Sequence, residues 1–272
     1  MNRIVQSAGV AVEIGGLPIL LRSADDSFLQ MLQDRYAGFV SPSQTPQLEF
    51  DINLQESPSH LGPDDDVSVQ RSGGRWLLER GDFRAEWDPE AGRGSIIQPP
   101  NPYAVDSVLR IVHTLLLARQ GGFLVHAASA IRNGNAFLFA GISGAGKTTI
   151  SRLAPEDTIL LTDEISYVRR QNDAYYACGT PFAGELAKLG ENASAPLRTL
   201  FLLAKGPENR IQDVPAGEAV RQLLRNVLFF TADRELVDRV FQSAFDFVQQ
   251  IPVRWLTFVP DERVWEMIGT FA

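Results

Sequence analysis

The chain has 272 residues, 44% hydrophobic and 21% charged, which is ordinary for a globular protein and enough to bury one large core or two smaller ones. A formal net charge of −8, with no Lys/Arg run longer than two, argues against a nucleic acid partner, because an acidic surface is repelled by phosphates. A lone cysteine, Cys178, leaves no internal disulfide and fits a cytoplasmic setting; no apolar stretch is long enough for a membrane span, and Glu13 breaks the apolar run near the N-terminus that a signal peptide would need.

In chain order, Phe28–Tyr36 reads as a short helix. Short alternating runs at Leu48–Leu54, Arg75–Arg80, Phe83–Trp87 and Gly94–Gln98, bounded by Gly, Pro, Asp and Ser, read as half-buried strands. Glu56–Asp66 has the composition of a solvated loop. Three prolines within Pro99–Pro102 cannot continue a helix or a central strand, so they mark a boundary. This predicts a β-rich N-terminal domain over 1–100, without evident chemistry and available for substrate recognition, and a second domain over 101–272.

The second domain opens on a predicted helix, Tyr103–Arg119, with apolar residues at helical spacing, ended by Gly121-Gly122. Phe123–Ile131 and Ala136–Ala140 flank Asn133-Gly134, a strong local signal for a hairpin. Further strands are predicted at Ile159–Leu161, Ile165–Arg169, Tyr175–Cys178, Leu200–Ala204, Arg210–Val214 and Val253–Val259. Helices are predicted at Ala216–Phe230, Arg234–Gln249 and Asp261–Ile268.

The second hairpin strand runs into Gly141-Ile142-Ser143-Gly144-Ala145-Gly146-Lys147-Thr148, the pattern Gly-x-x-x-x-Gly-Lys-Thr. Glycines let backbone N–H groups close around an anion. Lys147 offers a point charge to the β- and γ-phosphates, and the Thr148 hydroxyl can ligate magnesium. Residues 141–149, Thr149 included, are therefore the expected nucleotide-binding set, with ATP and magnesium as cofactors. An apolar run then ends in Asp163-Glu164, only 16 residues after Lys147, where an acid can hold the metal. Of the three histidines, His60 lies in the acidic loop and His113 in a helix. His126 lies on the strand beside the loop-bearing one, where an imidazole can move protons near neutral pH. Gly179–Glu185 adds a hydroxyl and a carboxylate, and Arg198, Lys205 and Arg210 are candidate phosphate partners.

His126 on a strand, the hairpin, the 141–148 loop and the acidic pair together resemble the C-terminal domain of HPr kinase/phosphorylase, whose nucleotide-binding core is similar to that of phosphoenolpyruvate carboxykinase. The resemblance spans roughly 100–272 and is specific over 122–170. Gly179–Glu185 and Ala195-Pro196-Leu197 look like bacterial HPr-kinase-related proteins, some of which modify ribosomally made peptides. It implies an α/β fold with a mixed-sheet core carrying the phosphate loop, and phosphoryl transfer from ATP to a serine or other hydroxyl of a protein or peptide. Two departures are visible: the family usually carries two aspartates where this chain has Asp163 and Glu164, and the glycine-rich segment that follows them in the family is not found.

On this reading Lys147 and magnesium neutralise charge at the β–γ bridge, and Thr148 with Asp163 or Glu164 holds the metal. The other carboxylate, assisted by His126, takes the acceptor proton. Which carboxylate does which is left open, as is assembly into a homo-oligomer. An ATPase or GTPase driving a conformational change, a non-catalytic partner protein and a small-molecule kinase are the competing classes. The GTPase alternative is weakened because the chain carries no Asn-Lys-x-Asp guanine-reading motif.

Overall fold

The computed structural model describes residues 8–41, 45–56, 66–182 and 190–270. They fall into two units, Met1–Val112 with Phe230–Asp233, and His113–Phe229 with Arg234–Ala272. The two units divide inside a helix, between Val112 and His113; the sequence reading sets 1–100 apart from 101–272 at the proline cluster. Pro99–Pro102 do end a strand, but the first turns of the helix that follows belong to the first unit.

The first unit is a seven-stranded mixed sheet. Its strands are β1 (Gly9–Ile14), β2 (Leu17–Ser23), β3 (Leu48–Leu54), β4 (Ser68–Ser72), β5 (Arg75–Arg80), β6 (Phe83–Asp88) and β7 (Arg93–Gln98), in the order β1-β2-β3-β7-β6-β5-β4. Alternation decides which face is buried: Trp76, Leu78, Phe83, Ala85 and Trp87 face inward while Arg75, Arg84 and Glu86 face outward. Helix α1 (Asp26–Arg35) starts where the Asp25 carboxylate accepts the Phe28 N–H at 2.8 Å, an N-cap. Asp106, at the start of helix α2 (Tyr103–Gln120), is buried but accepts from Arg35 and from the Tyr36 hydroxyl, each at 2.6 Å, so its charge is not orphaned. Strands β1, β2 and β4 are additions to the sequence reading. His60 and most of Glu56–Asp66 lie outside the described residues.

The second unit is a nine-stranded mixed sheet among the described residues. The Asn133-Gly134 turn (φ 50° and 74°) joins β8 (Phe123–Arg132) to β9 (Asn135–Ala140) as an antiparallel hairpin. β9 also pairs in parallel with β13 (Ser194–Lys205), and β13 in parallel with β16 (Val253–Phe258). Strands β10 (Ile159–Thr162) and β11 (Ile165–Gln171) run successively antiparallel along β8; β12 (Ala174–Cys178) bridges β11 to β13, and β14 (Arg210–Asp213) borders β16.

Helices cover both faces of this sheet, and β9 accordingly reads as a continuous apolar run. Leu138, Leu200 and Leu202 pack with α4 (Ala216–Asn226) and α5 (Arg234–Gln250), whereas Phe137, Phe139 and Phe201 pack with α3 (Lys147–Arg152) and α6 (Arg263–Gly269). The predicted helix over Ala216–Phe230 stops at Asn226: Val227-Leu228 form β15, which pairs with Val125 and Leu124 of β8 instead of extending the coil. None of the described helices is long and apolar enough to cross a membrane.

Candidate active site

The loop between β9 and α3 is shaped by close approaches. Gly144 and Gly146 hold φ of 73° and 115°, conformations that L side chains rarely adopt. A Cβ on Gly141 would stand 2.7 Å from the Ala145 Cβ, so only glycine fits there. Ala145 turns inward to the core beside Phe139 and Trp265, and the Trp265 indole N–H donates to the Ile150 carbonyl at 3.0 Å, fixing α3 from below. The Lys147 ammonium is buried and donates across the loop to the Gly141 carbonyl at 3.0 Å.

The acidic pair interrupts what is otherwise one long strand along β8. Thr162 shapes the break: its hydroxyl accepts the N–H of Glu164 at 3.2 Å and of Ile165 at 3.3 Å, a local turn in which a side chain replaces ladder partners. Thr180 fastens the same turn from β12's side, donating its hydroxyl to the Ile165 carbonyl at 2.7 Å and its N–H to the Leu161 carbonyl at 3.3 Å. Sequence reasoning missed both roles. The available signal was Thr162 two residues ahead of Glu164, the spacing at which a hydroxyl can serve a following N–H. Within Gly179–Glu185, Thr180 is thus a buried brace, while Ala183, Gly184 and Glu185 lie outside the described residues.

Register brings the parts together. His126 of β8 pairs with Ile165 of β11, next to Glu164, and the His126 Nε2 lies 3.1 Å from the Glu164 carboxylate. Desolvation, then the Lys147 charge, hold the His126 imidazole below its ordinary range, with Glu164 pulling the other way. The balance leaves it neutral at pH 7, its Nε2–H donating to the carboxylate.

His126, Ser143, Gly144, Gly146, Lys147, Thr148, Thr149 and Glu164 line one cavity of about 280 Å³. Of the remaining expected residues, Gly141 supplies its carbonyl to Lys147, Ala145 belongs to the core, and Ile142 is 81% exposed. Asp163 is 2% exposed and does not line the cavity, so the two acids occupy different surroundings. Arg198, Lys205 and Arg210 do not line it either. Arg198 follows Leu197, which pairs with Ala136 at the end of β9 away from the loop; Lys205 and Arg210 are exposed on β13 and β14. A hollow of about 360 Å³ on the first unit contains only Arg75, Arg93 and their acidic neighbours around small residues, and none of the motif residues.

The Thr148 hydroxyl is a hard oxygen donor on the cavity that suits magnesium, and magnesium with a nucleotide needs only one or two protein ligands beside phosphate and water. The open space at Gly144, where a Cβ would meet nothing within 4 Å, leaves the loop backbone accessible to an anion.

A family model described as SynChlorMet cassette protein ScmC matches residues 103–271, more than half of the chain. No curated protein matches it. Among solved structures, the HPr(Ser) kinase/phosphatase from Coxiella burnetii is similar at 12% sequence identity and a TM-score of 0.30, covering 54% of this chain and 87% of that one.

Proposed function

The chain belongs to the family described as SynChlorMet cassette protein ScmC, and from that premise we propose that its second unit is an ATP-dependent kinase that transfers the γ-phosphoryl group to a hydroxyl, a serine above all, of a protein or peptide. The observation that carries this reading is the meeting of Lys147, Thr148, His126 and Glu164 on one cavity. Four chemically distinct groups from a helix start, a strand and a turn converge where a structural role needs none of them together.

In the proposed reaction the loop N–H groups and Lys147 hold the triphosphate, Lys147 leaving the Gly141 carbonyl for the phosphate oxygens. Thr148 is the residue on the cavity that would hold magnesium, which when bound would neutralise charge on the phosphates. The acceptor oxygen attacks the γ-phosphorus, the bond to the β–γ bridging oxygen breaks, and ADP leaves. Glu164, oriented by the His126 N–H, takes the acceptor proton. Its exposure to the cavity suits it to that task better than Asp163, which is buried and does not line the cavity.

The test is incubation with γ-labelled ATP, magnesium and a lysate of the host, with the labelled species identified by mass spectrometry. The expected result is label on a hydroxyl of a polypeptide, absent with Lys147→Ala. Label released only as inorganic phosphate would instead mark an ATPase, and label on a metabolite a small-molecule kinase.

A further inference from the structure

A second feature of this unit lies between α4 and α5. Gly217, Val220, Arg221, Leu224 and Arg225 of α4 and Phe241 and Phe245 of α5 line a groove of about 510 Å³. Phe241 and Phe245 are 47% and 48% exposed, side by side one helical turn apart. Val220 and Leu224 repeat that spacing across the groove, and Arg221 and Arg225 repeat it along the rim. Three parallel rows at a one-turn interval make a slot about two turns long, the shape into which the apolar ridge of another helix packs.

The charge of the slot identifies its occupant. Among the described residues, neither the Arg221 nor the Arg225 side chain makes an ion pair or hydrogen bond, and no carboxylate lines the groove. This is a cationic rim on a chain whose net charge is −8. A second copy seated here about a two-fold axis would bring four guanidiniums together with no lining carboxylate to answer them. We propose that the groove docks an acidic amphipathic helix of a partner polypeptide: two aliphatic or aromatic side chains one turn apart enter between Phe241, Phe245, Val220 and Leu224, and flanking carboxylates pair with Arg221 and Arg225. The inference stands apart from the kinase reading, since none of these residues belongs to the 141–164 cavity.

The probe is a fluorescent 14-residue helical peptide with Leu at one-turn spacing and Glu on both flanks, compared with the same peptide carrying Lys in place of Glu. Binding to the full chain is followed by anisotropy, and contacted residues by NMR shift mapping. The Glu peptide should bind, shift α4 and α5 resonances, and weaken as salt rises, because the rim contacts are screened. Arg221→Glu with Arg225→Glu should weaken it tenfold or more and reverse the preference towards the Lys peptide. Phe241→Ser with Phe245→Ser, at exposed positions that leave folding intact, should abolish both. Lys147→Ala should bind the peptide as the parent does, so failure of the kinase reading leaves this result untouched. Equal binding of the two peptides, binding unchanged by the arginine reversals, no binding, or a sedimenting dimer dissociated by the phenylalanine changes would each overturn the proposal.

Discussion

Lys147 and Thr162 illustrate two ways in which one residue makes a site. On the proposed reading, Lys147 is the charge that a phosphate-bearing ligand meets. Lys147→Ala should lower ATP affinity at least tenfold, about 1.4 kcal/mol, while leaving the thermal transition nearly unchanged, because its ammonium reaches a loop carbonyl, that of Gly141. Titration calorimetry showing parental affinity in a folded variant would remove the phosphate-loop reading. Thr162 touches no ligand and acts through the turn. Thr162→Val keeps the shape but strands the N–H groups of Glu164 and Ile165, so transfer should slow by about tenfold or more with the ATP KM little changed, and Thr162→Ser should restore it. If Thr162→Val only lowered stability and left kcat alone, Thr162 would be a structural residue. At this scale the loop and the acids were legible because each has a motif. The split between Glu164 in the cavity and Asp163 behind it was not legible, since that depends on the Thr162 turn and on the His126–Ile165 register.

The elements show where local sequence suffices. Asn133-Gly134 announces its hairpin because both residues must take positive φ, and few other residues do so cheaply. Gly134→Ala should therefore destabilise the protein by about 1 kcal/mol through the backbone alone, as nothing lies within 4 Å of the added Cβ; chemical denaturation would check it, and a neutral result would contradict the turn assignment. Val227-Leu228 misled for the opposite reason: an apolar run after an amphipathic helix looks like more helix, and only the edge of β8 at Leu124 and Val125, far away in sequence, makes it a strand. β1 and β2 were obscured by Pro18 and a Gly15-Gly16 turn inside an apolar stretch, and β4 by its polar sequence. In α2, His113 is fully buried, its ring edge-on to Tyr167 at 5.3 Å, with neither ring nitrogen partnered among the described residues. Burial pushes its pKa down to about 3 from the ordinary 6.5. Since the folded value is the lower one, this contribution to stability is fully present above pH 6.5 and is lost as pH falls towards 3. Between pH 7 and 4.5 the loss is about 3 kcal/mol. His113→Leu should shrink the fall in unfolding free energy over that range by a similar amount, and urea titrations at the two pH values that fell in parallel for both proteins would contradict it.

For the whole molecule, two mixed-sheet units divide the chain inside α2, and the family match begins at residue 103. The second unit's character was visible in its sequence as motifs in a fixed order. Its parallel β9–β13–β16 set was not, because parallel pairing joins segments separated by tens of residues and leaves no turn signature. The central claim is that this unit binds ATP for transfer, with Glu164 acting as the charge moves and the loop binding the ground state. It is tested most directly by rapid-quench measurement of γ-phosphoryl transfer from ATP in Glu164→Gln beside the parent chain, with ATP affinity taken on the same samples. The account predicts a rate lower by about a hundredfold or more at nearly unchanged affinity, the scale of a lost general base. Full transfer by Glu164→Gln would contradict it.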